Sequence, residues 1–155
     1  MQNGVCCFIG HRTINETNEL KIQLFKIIEN LIVKENVGVF LFGSKSQFND
    51  LCYEVVSKVK EKHTHIKRIY VRAEFSQIND IYKEYLLKSY EYTYYSNAAF
   101  GKSAYVQRNR DMINNSDFCV IYYNQSQFPQ KRKSGTKIAL DYAIKIGKKI
   151  IILND

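Results

Sequence analysis

The chain has 155 residues, of which 45% are hydrophobic, and its formal net charge is +8. This length suits one domain with a well-formed core and is too short for two ordinary domains, so we expect residues 1–155 to form a single domain. The excess of Lys and Arg favours an anionic partner, such as a phosphorylated metabolite, nucleic acid or an anionic surface, without choosing among them. The alternative is that the excess reflects a compositional bias of the source genome.

The cysteine and histidine content argues against a metal centre. The chain has no CxxC pair, its three histidines are scattered, and most of its cysteines lie in or beside apolar runs, where a thiol behaves as a small buried hydrophobe. We therefore predict no metal site and no cofactor. No apolar run approaches the roughly 18 residues of a membrane helix and no secretory signal pattern is visible, so we expect a cytoplasmic protein that does not contact membranes.

Apolar runs alternate with helical patterns along most of the chain. The predicted strands are 5–9, 37–42, 66–71, 118–123 and 149–153, and the predicted helices are about 16–35, 50–62, 104–115 and a segment that follows Thr136. Asn15 or Thr17 is expected to cap the first helix. Continuous apolar runs separated by helices are typical of parallel strands buried on both faces. The sequence predicts an α/β, Rossmann-like, doubly wound fold, with a mostly parallel sheet of about five strands and helices on both faces.

The alternation weakens between residues 74 and 100. A short helical piece is followed by a tyrosine cluster without a clear period, and the tyrosines of this region are Tyr82, Tyr85, Tyr90, Tyr92, Tyr94 and Tyr95. These rings could stack on nucleobases. Alternatively, they are half-buried residues of loops and of a sheet edge.

Glycine-containing loops follow two of the predicted strands and precede the last helix. These loops are Gly10-His11-Arg12-Thr13, Gly43-Ser44-Lys45-Ser46 and Ser134-Gly135-Thr136. In a doubly wound fold they share the carboxyl edge of the sheet, where glycines let the backbone approach a phosphate. Neither GxGxxG nor GxxxxGK[ST] occurs, so the usual dinucleotide fingerprint and the P-loop are absent.

Three residues in or near these loops have two interpretations each. Arg12 directly follows a strand and its glycine, so it is a candidate for a charge-assisted phosphate contact or for a surface salt bridge. His11 could donate to the same phosphate or support the turn, and the supporting role is slightly favoured. Asp50 could accept from a ribose hydroxyl, but capping of its helix is the better interpretation.

The other candidates offer hydroxyls and cationic groups. Ser44 and Thr136 place hydroxyls beside glycines. Arg108 and Asn109 could contact a ligand or tie their helix to the sheet, and the sequence leaves both open. The basic insert 125–133 is either a lid over the ligand or a solvated loop.

Several short motifs, in this order, resemble the SLOG superfamily and its small YpsA-like bacterial branch. They are Phe8-Ile9-Gly10-His11-Arg12, Gly43 with Asp50, Arg108-Asn109-Arg110-Asp111-Met112 before Ser116-Asp117, and Ser134-Gly135-Thr136 followed by Ala139. The resemblance covers nearly the whole chain. It implies a Rossmann-like fold that binds nucleotides or nucleotide-derived ligands, as in LOG phosphoribohydrolases, DNA-processing DprA proteins and defence sensors of cyclic ADP-ribose-type signals.

One departure from the family pattern bears on catalysis. LOG enzymes carry a PGGxGTxxE motif, and Ala139 occupies the position of its glutamate. Without that carboxylate the oxocarbenium-like transition state loses its expected stabiliser, so no catalytic residue is predicted and a non-enzymatic role is favoured.

The sequence therefore favours a module that binds a nucleotide-derived small molecule, such as ADP-ribose, a cyclic ADP-ribose or a cyclic nucleotide. It would act as a sensor or as a sequestering protein, for example one from a phage that removes a defence signal. One alternative is a LOG-type N-glycosidic hydrolase that uses another carboxylate, such as Asp50, Glu74 or Asp111. The other is a DprA-like nucleic-acid binder. A homo-oligomer is also expected, because family members often pair through helices beside the ligand edge.

Overall fold

A computed structural model describes residues 4–43, 45–73, 77–96, 102–124 and 134–154. Strands and helices alternate throughout. In chain order they are β1 (Gly4–Gly10), α1 (Asn18–Val33), β2 (Val37–Phe42), α2 (Gln47–Lys60), β3 (Lys67–Arg72), α3 (Asp80–Leu87), β4 (Tyr92–Tyr95), α4 (Lys102–Asn114), β5 (Phe118–Tyr122), α5 (Gly135–Lys145) and β6 (Lys149–Leu153).

The strands form one six-stranded sheet in the order β4-β3-β2-β1-β5-β6. All the pairings of neighbouring strands are parallel. The chain winds outward from β1 to β4, then returns to place β5 on the other side of β1. The predicted Rossmann-like, doubly wound α/β fold is confirmed, and β1 and β5 flank the point where the winding direction reverses.

Helices cover both faces of the sheet, because successive side chains of each strand point in opposite directions. On one face, Cys6 and Phe8 of β1 pack in a core with α1 and α2. On the other, Cys7 and Ile9 pack with residues of α4 and α5. A continuous apolar run such as β1 thus fills two cores at once.

Strand β4 is the element that the sequence analysis missed, and it raises the number of strands from about five to six. Its sequence, YTYY, lacks the continuous apolar character of the inner strands because β4 lies at the edge of the sheet. Tyr70 pairs with Thr93 in the parallel ladder. Just before β4, Glu91 accepts hydrogen bonds from Arg68 Nε at 3.1 Å and from Arg68 Nη2 at 2.7 Å. These bonds link the edge strand to β3.

Local capping sets the helix starts. Thr17 Oγ1 accepts a hydrogen bond from Leu20 N at 3.1 Å, so the second of the two predicted caps of α1 is the correct one. Helix α2 begins at Gln47, three residues before the predicted start at Asp50. Its cap is Ser46, whose Oγ accepts from Asn49 N at 3.0 Å, and the prediction that Asp50 caps this helix is wrong. Asp50 instead lies in the first turn, where a carboxylate is stabilised by the positive end of the helix dipole.

Candidate functional site

A cavity of about 600 Å³ opens at the carboxyl edge of the sheet, beside the reversal of the winding. Its walls come from the ends of β1, β2 and β3 and from α3, α4 and the start of α5. We call it the carboxyl-edge cavity. Ligands of open α/β sheets bind at this position, and the volume falls in the range of small-molecule sites.

The carboxyl-edge cavity is strongly cationic. Its lining includes Arg12, Lys45, Arg72 and Arg108, and none of the described residues that line it carries a carboxylate. The described wall therefore has no negative side chain to neutralise these cations. Clefts lined by one sign of charge attract ions of the other sign, so the cavity suits an anion.

The loop after β1 is held by two hydrogen bonds to the start of α2. Gln47 N donates to Arg12 O at 2.8 Å, and Ile14 N donates to Gln47 Oε1 at 2.9 Å. These bonds fix the backbone at Arg12 and leave its side chain exposed at the cavity. The arginine can thus reach a ligand without a large loss of loop entropy.

His11 joins the loop after β1 to the end of β5. It is buried, and its Nε2 accepts a hydrogen bond from Asn124 N at 2.8 Å, so this nitrogen carries no proton. The ring also contacts Tyr122 and Tyr123, with centroids 5.9 and 5.4 Å away. These contacts give His11 the supporting role that the sequence favoured, although the residue also lines the cavity.

The two glycines at the strand ends are required by packing within the protein. A Cβ at Gly10 would lie 2.3 Å from Phe48 Cδ2, and one at Gly43 would lie 2.7 Å from Met112 Sδ. Glycine here lets α2 and α4 approach the sheet closely. The predicted reason, backbone approach to a ligand, is thus incomplete, because side chains of the protein already occupy that space.

Gly135 has the opposite environment, since a Cβ there would meet no atom within 4 Å. It is the first residue of α5, after the cap Ser134, whose Oγ accepts from Lys137 N at 3.0 Å. Both residues and Thr136 line the cavity. The start of α5 therefore presents backbone N–H groups and the positive end of the helix dipole to the cavity.

Ala139 does not belong to the cavity wall. It is 1% exposed and packs in the apolar core beneath α5, with Leu140 and Ala143. The position that matches the LOG glutamate is thus filled by core packing in this chain.

Helix α4 contributes Arg108, Asn109 and Tyr105 to the cavity. Arg108 is 5% exposed, and its guanidinium carbon lies 5.5 Å from the centroid of the Tyr105 ring. Tyr105 is 45% exposed. A buried arginine beside an open aromatic ring provides a charge for an anion and a surface on which a flat group can stack.

Arg72, at the end of β3, is a cationic residue that the sequence analysis did not single out. It is 9% exposed, it lines the cavity, and its Nε has no hydrogen-bond partner within the described part of the chain. A buried guanidinium is costly to desolvate unless a hydrogen-bonded anion accompanies it. The available signal was its position, since it ends a strand at the same edge as Gly10 and Gly43.

The structure brings most of the sequence candidates together. The carboxyl-edge cavity is lined by Gly10, His11, Arg12, Gly43, Arg108, Asn109, Ser134, Gly135 and Thr136. Asp50 lines a neighbouring cavity instead. Ser44 and the basic insert 125–133 lie outside the described residues. Besides Arg72, the sequence analysis missed Tyr70 and Tyr105 as wall residues.

Two further properties concern only the described residues. They contain no group of three or more His, Cys, Asp or Glu side chains that could hold a metal ion. None of the helices they form is long and apolar enough to cross a membrane.

The fold and the cavity place the chain among Rossmann-like α/β proteins with a ligand-sized site at the reversal point of the sheet. By sequence it belongs to the same family as the uncharacterized SPbeta prophage-derived protein YoqJ of Bacillus subtilis. The two are 30% identical over 146 residues, which cover 82% of this chain and 81% of YoqJ. No family model matches the chain.

Solved structures of a molybdenum cofactor carrier protein share the fold. Two structures of this protein from Chlamydomonas reinhardtii align with TM-scores of 0.56 and 0.57 at 13% and 12% identity. The alignments cover 100% and 99% of this chain and 79% of the carrier protein in each case. At this level of identity the likeness concerns the fold alone.

Proposed function

We propose that this protein is a binding module of the SLOG type that captures a nucleotide-derived small molecule in the carboxyl-edge cavity. The ligand class is that of ADP-ribose, cyclic ADP-ribose and cyclic nucleotides. The protein acts as a sensor or as a sequestering protein, and homo-oligomers remain a prediction.

The observation that carries this proposal is the charge of the cavity wall. Four cationic side chains and the start of α5 converge there, and no carboxylate is found among the described lining residues. Phosphate groups satisfy both kinds of donor at once. Tyr105 and Tyr82 of the same wall supply aromatic faces for a base.

Capture is favoured over turnover by the placement of the carboxylates. Of the three that were considered for hydrolysis, Asp50 lines the neighbouring cavity and Asp111 lines neither cavity. Glu74 lies outside the described residues. Ala139 packs in the core. The described wall of the carboxyl-edge cavity therefore supplies no carboxylate to stabilise the charge that would develop at a ribosyl bond held there.

The relatives are compatible with capture. The structural neighbours are named as carriers of a cofactor, a role in which a ligand is held without being consumed. YoqJ is prophage-derived, which supports a role in which a phage protein sequesters a host signal.

Calorimetry with AMP, ADP-ribose, cyclic ADP-ribose, NAD⁺ and cyclic di-AMP tests the proposal. At least one of these ligands should bind, and chromatography should recover it intact after incubation with excess protein. Absence of binding to every ligand of the panel would refute the proposal. Release of free base would favour the alternative, an N-glycosidic hydrolase.

Two variants with the same change in net charge locate the site. Arg72→Met removes a cavity cation and should weaken binding about tenfold or more, the loss expected for a charge-assisted hydrogen bond. Arg110→Met is the matched control, because Arg110 lies over the Tyr142 ring, 5.1 Å from its centroid, outside the carboxyl-edge cavity. Equal effects of the two variants would show that only the overall charge matters.

A further inference from the structure

A second cavity of about 650 Å³ adjoins the carboxyl-edge cavity, between the first turns of α2 and helix α3. We call it the tyrosine cavity, because five tyrosines line it: Tyr53, Tyr70, Tyr82, Tyr85 and Tyr90. Its wall also includes residues of the first cavity, namely Arg12, Lys45, Ser46, Tyr70 and Tyr82. The two cavities therefore share part of their wall, including two cationic side chains.

The inner wall of the tyrosine cavity is held together by contacts among its own rings and by a hydrogen bond. The Tyr90 ring contacts Tyr53 and Tyr70, with centroids 5.2 and 5.3 Å apart. Tyr53 Oη donates to Ser89 O at 2.7 Å. Burial, with smaller contributions from Tyr70, Tyr53 and Asp50, raises the pKa of Tyr90, so its phenol is neutral at physiological pH. Neutral, fixed rings form a surface suited to an uncharged aromatic group.

The outer wall consists of two tyrosines on one face of α3. Tyr82 and Tyr85 are three residues apart, with ring centroids separated by 6.3 Å, and Tyr85 is 67% exposed. The exposed Tyr85 ring and the packed rings of the inner wall line the same cavity of about 650 Å³, whose volume admits a flat group. Asp50 is the acidic side chain among the described residues of this cavity wall, and it supplies an acceptor for amino or hydroxyl groups.

Aromatic side chains line both cavities, and cationic side chains lie between the two. The carboxyl-edge cavity has Tyr105 beside its arginines, the tyrosine cavity has its own rings, and Arg12 and Lys45 lie between them. We propose that the tyrosine cavity is a second ring-binding subsite, so that the ligand is a phosphate-linked molecule with two aromatic rings, of the dinucleotide class. The phosphates lie at the cationic junction and one ring enters each cavity. This inference rests on the proposed function and narrows its ligand class.

The sizes of the cavities agree with a ligand of this class. Each cavity alone falls in the range of small-molecule sites. A mononucleotide would leave one of them filled only by solvent, whereas a dinucleotide exchanges water for ring contacts in both.

The test compares two-ring ligands, NAD⁺ and cyclic di-AMP, with one-ring ligands, AMP and ADP-ribose. At least one two-ring ligand should bind wild type about tenfold more tightly than either one-ring ligand, since stacking on an aromatic side chain contributes that much per base. Tyr85→Ala should abolish this advantage and leave the affinity for AMP and ADP-ribose unchanged. Tyr85→Phe, which keeps the ring, should retain the advantage.

Tyr92→Ala is the matched control. Tyr92 is also an exposed tyrosine in a tyrosine pair, at 56% exposure and 6.3 Å from Tyr94, but it lines neither of the two cavities. It should change no affinity. Equally tight binding of one-ring ligands, or an unchanged two-ring affinity in Tyr85→Ala, overturns the inference while the proposed function stands. If none of the four ligands binds wild type and cyclic ADP-ribose also fails, the proposed function falls and this inference falls with it.

Discussion

Replacing Gly10 by alanine tests the packing that places α2 beside the carboxyl-edge cavity. The added Cβ would lie 2.3, 2.5 and 2.7 Å from three atoms of Phe48, whereas ordinary contacts begin near 3.4 Å. Phe48 is fully buried and its ring lies 5.4 Å from that of Tyr122, so it cannot swing into solvent. The ring and the start of α2 must therefore shift by about an ångström.

We expect Gly10→Ala to lower the free energy of unfolding by about 1–3 kcal/mol, the usual cost of overpacking a core. For a chain of this size that corresponds to a fall in Tm of roughly 3–10 °C. Urea denaturation followed by circular dichroism measures the change, and Gly135→Ala is the control, because a Cβ at Gly135 meets no atom within 4 Å. Gly135→Ala should leave the stability unchanged or slightly higher.

A double-mutant cycle identifies the clash. In the Phe48→Leu background the ring is absent, so Gly10→Ala should cost at least about 0.5 kcal/mol less than in wild type. Additive effects of the two substitutions would refute the assignment of the clash to Phe48. Equal stabilities of Gly10→Ala and Gly135→Ala would refute the packing argument as a whole.

Two further predictions concern the edge strand and the core under α5. Partial burial alone would raise the pKa of Glu91, but the hydrogen bonds from Arg68 outweigh it and the net pKa is lowered. The stabilisation by Glu91 is therefore complete above its unfolded-state pKa and is lost as the pH falls through the folded-state value. Glu91→Gln should lower the free energy of unfolding by up to about 1 kcal/mol at pH 7 and by much less near pH 3. Urea denaturation at both pH values measures this difference. An equal loss at the two pH values would contradict the ion-pair argument. Ala139→Glu places a carboxylate in the apolar core, so it should destabilise the protein by several kcal/mol without creating hydrolase activity. Urea denaturation measures the stability, and release of base from AMP measures the activity. A stable variant that releases base would show that residue 139 reaches the ligand.

The sequence alone was sufficient for the features that depend on local patterns. The apolar run of β2 matches its strand residue for residue, because an inner parallel strand must be apolar on both faces. The apolar run of the edge strand β6 also matches its strand residue for residue. Thr17 was one of two predicted caps because capping involves only the next few residues. The convergence of the loops after β1 and β2 with the start of α5 also followed from the sequence, since parallel strands in βαβ units all end at one edge.

Only the tertiary structure decided the features that depend on residues distant in the chain. Strand β4 forms because Tyr92–Tyr95 pairs with β3 at the sheet edge, where tyrosines need be buried on no more than one side. The need for glycine at position 10 arises from Phe48, 38 positions later in the sequence. Arg72 lines the cavity, and the tyrosines of β3, α2 and α3 meet in one wall, only after the sheet and its helices are assembled. Local periodicity predicts which face of an element is apolar, but it does not predict which other element packs against that face. The two cavities of this protein lie between elements that are distant in the chain, so the sequence pattern alone could not predict them.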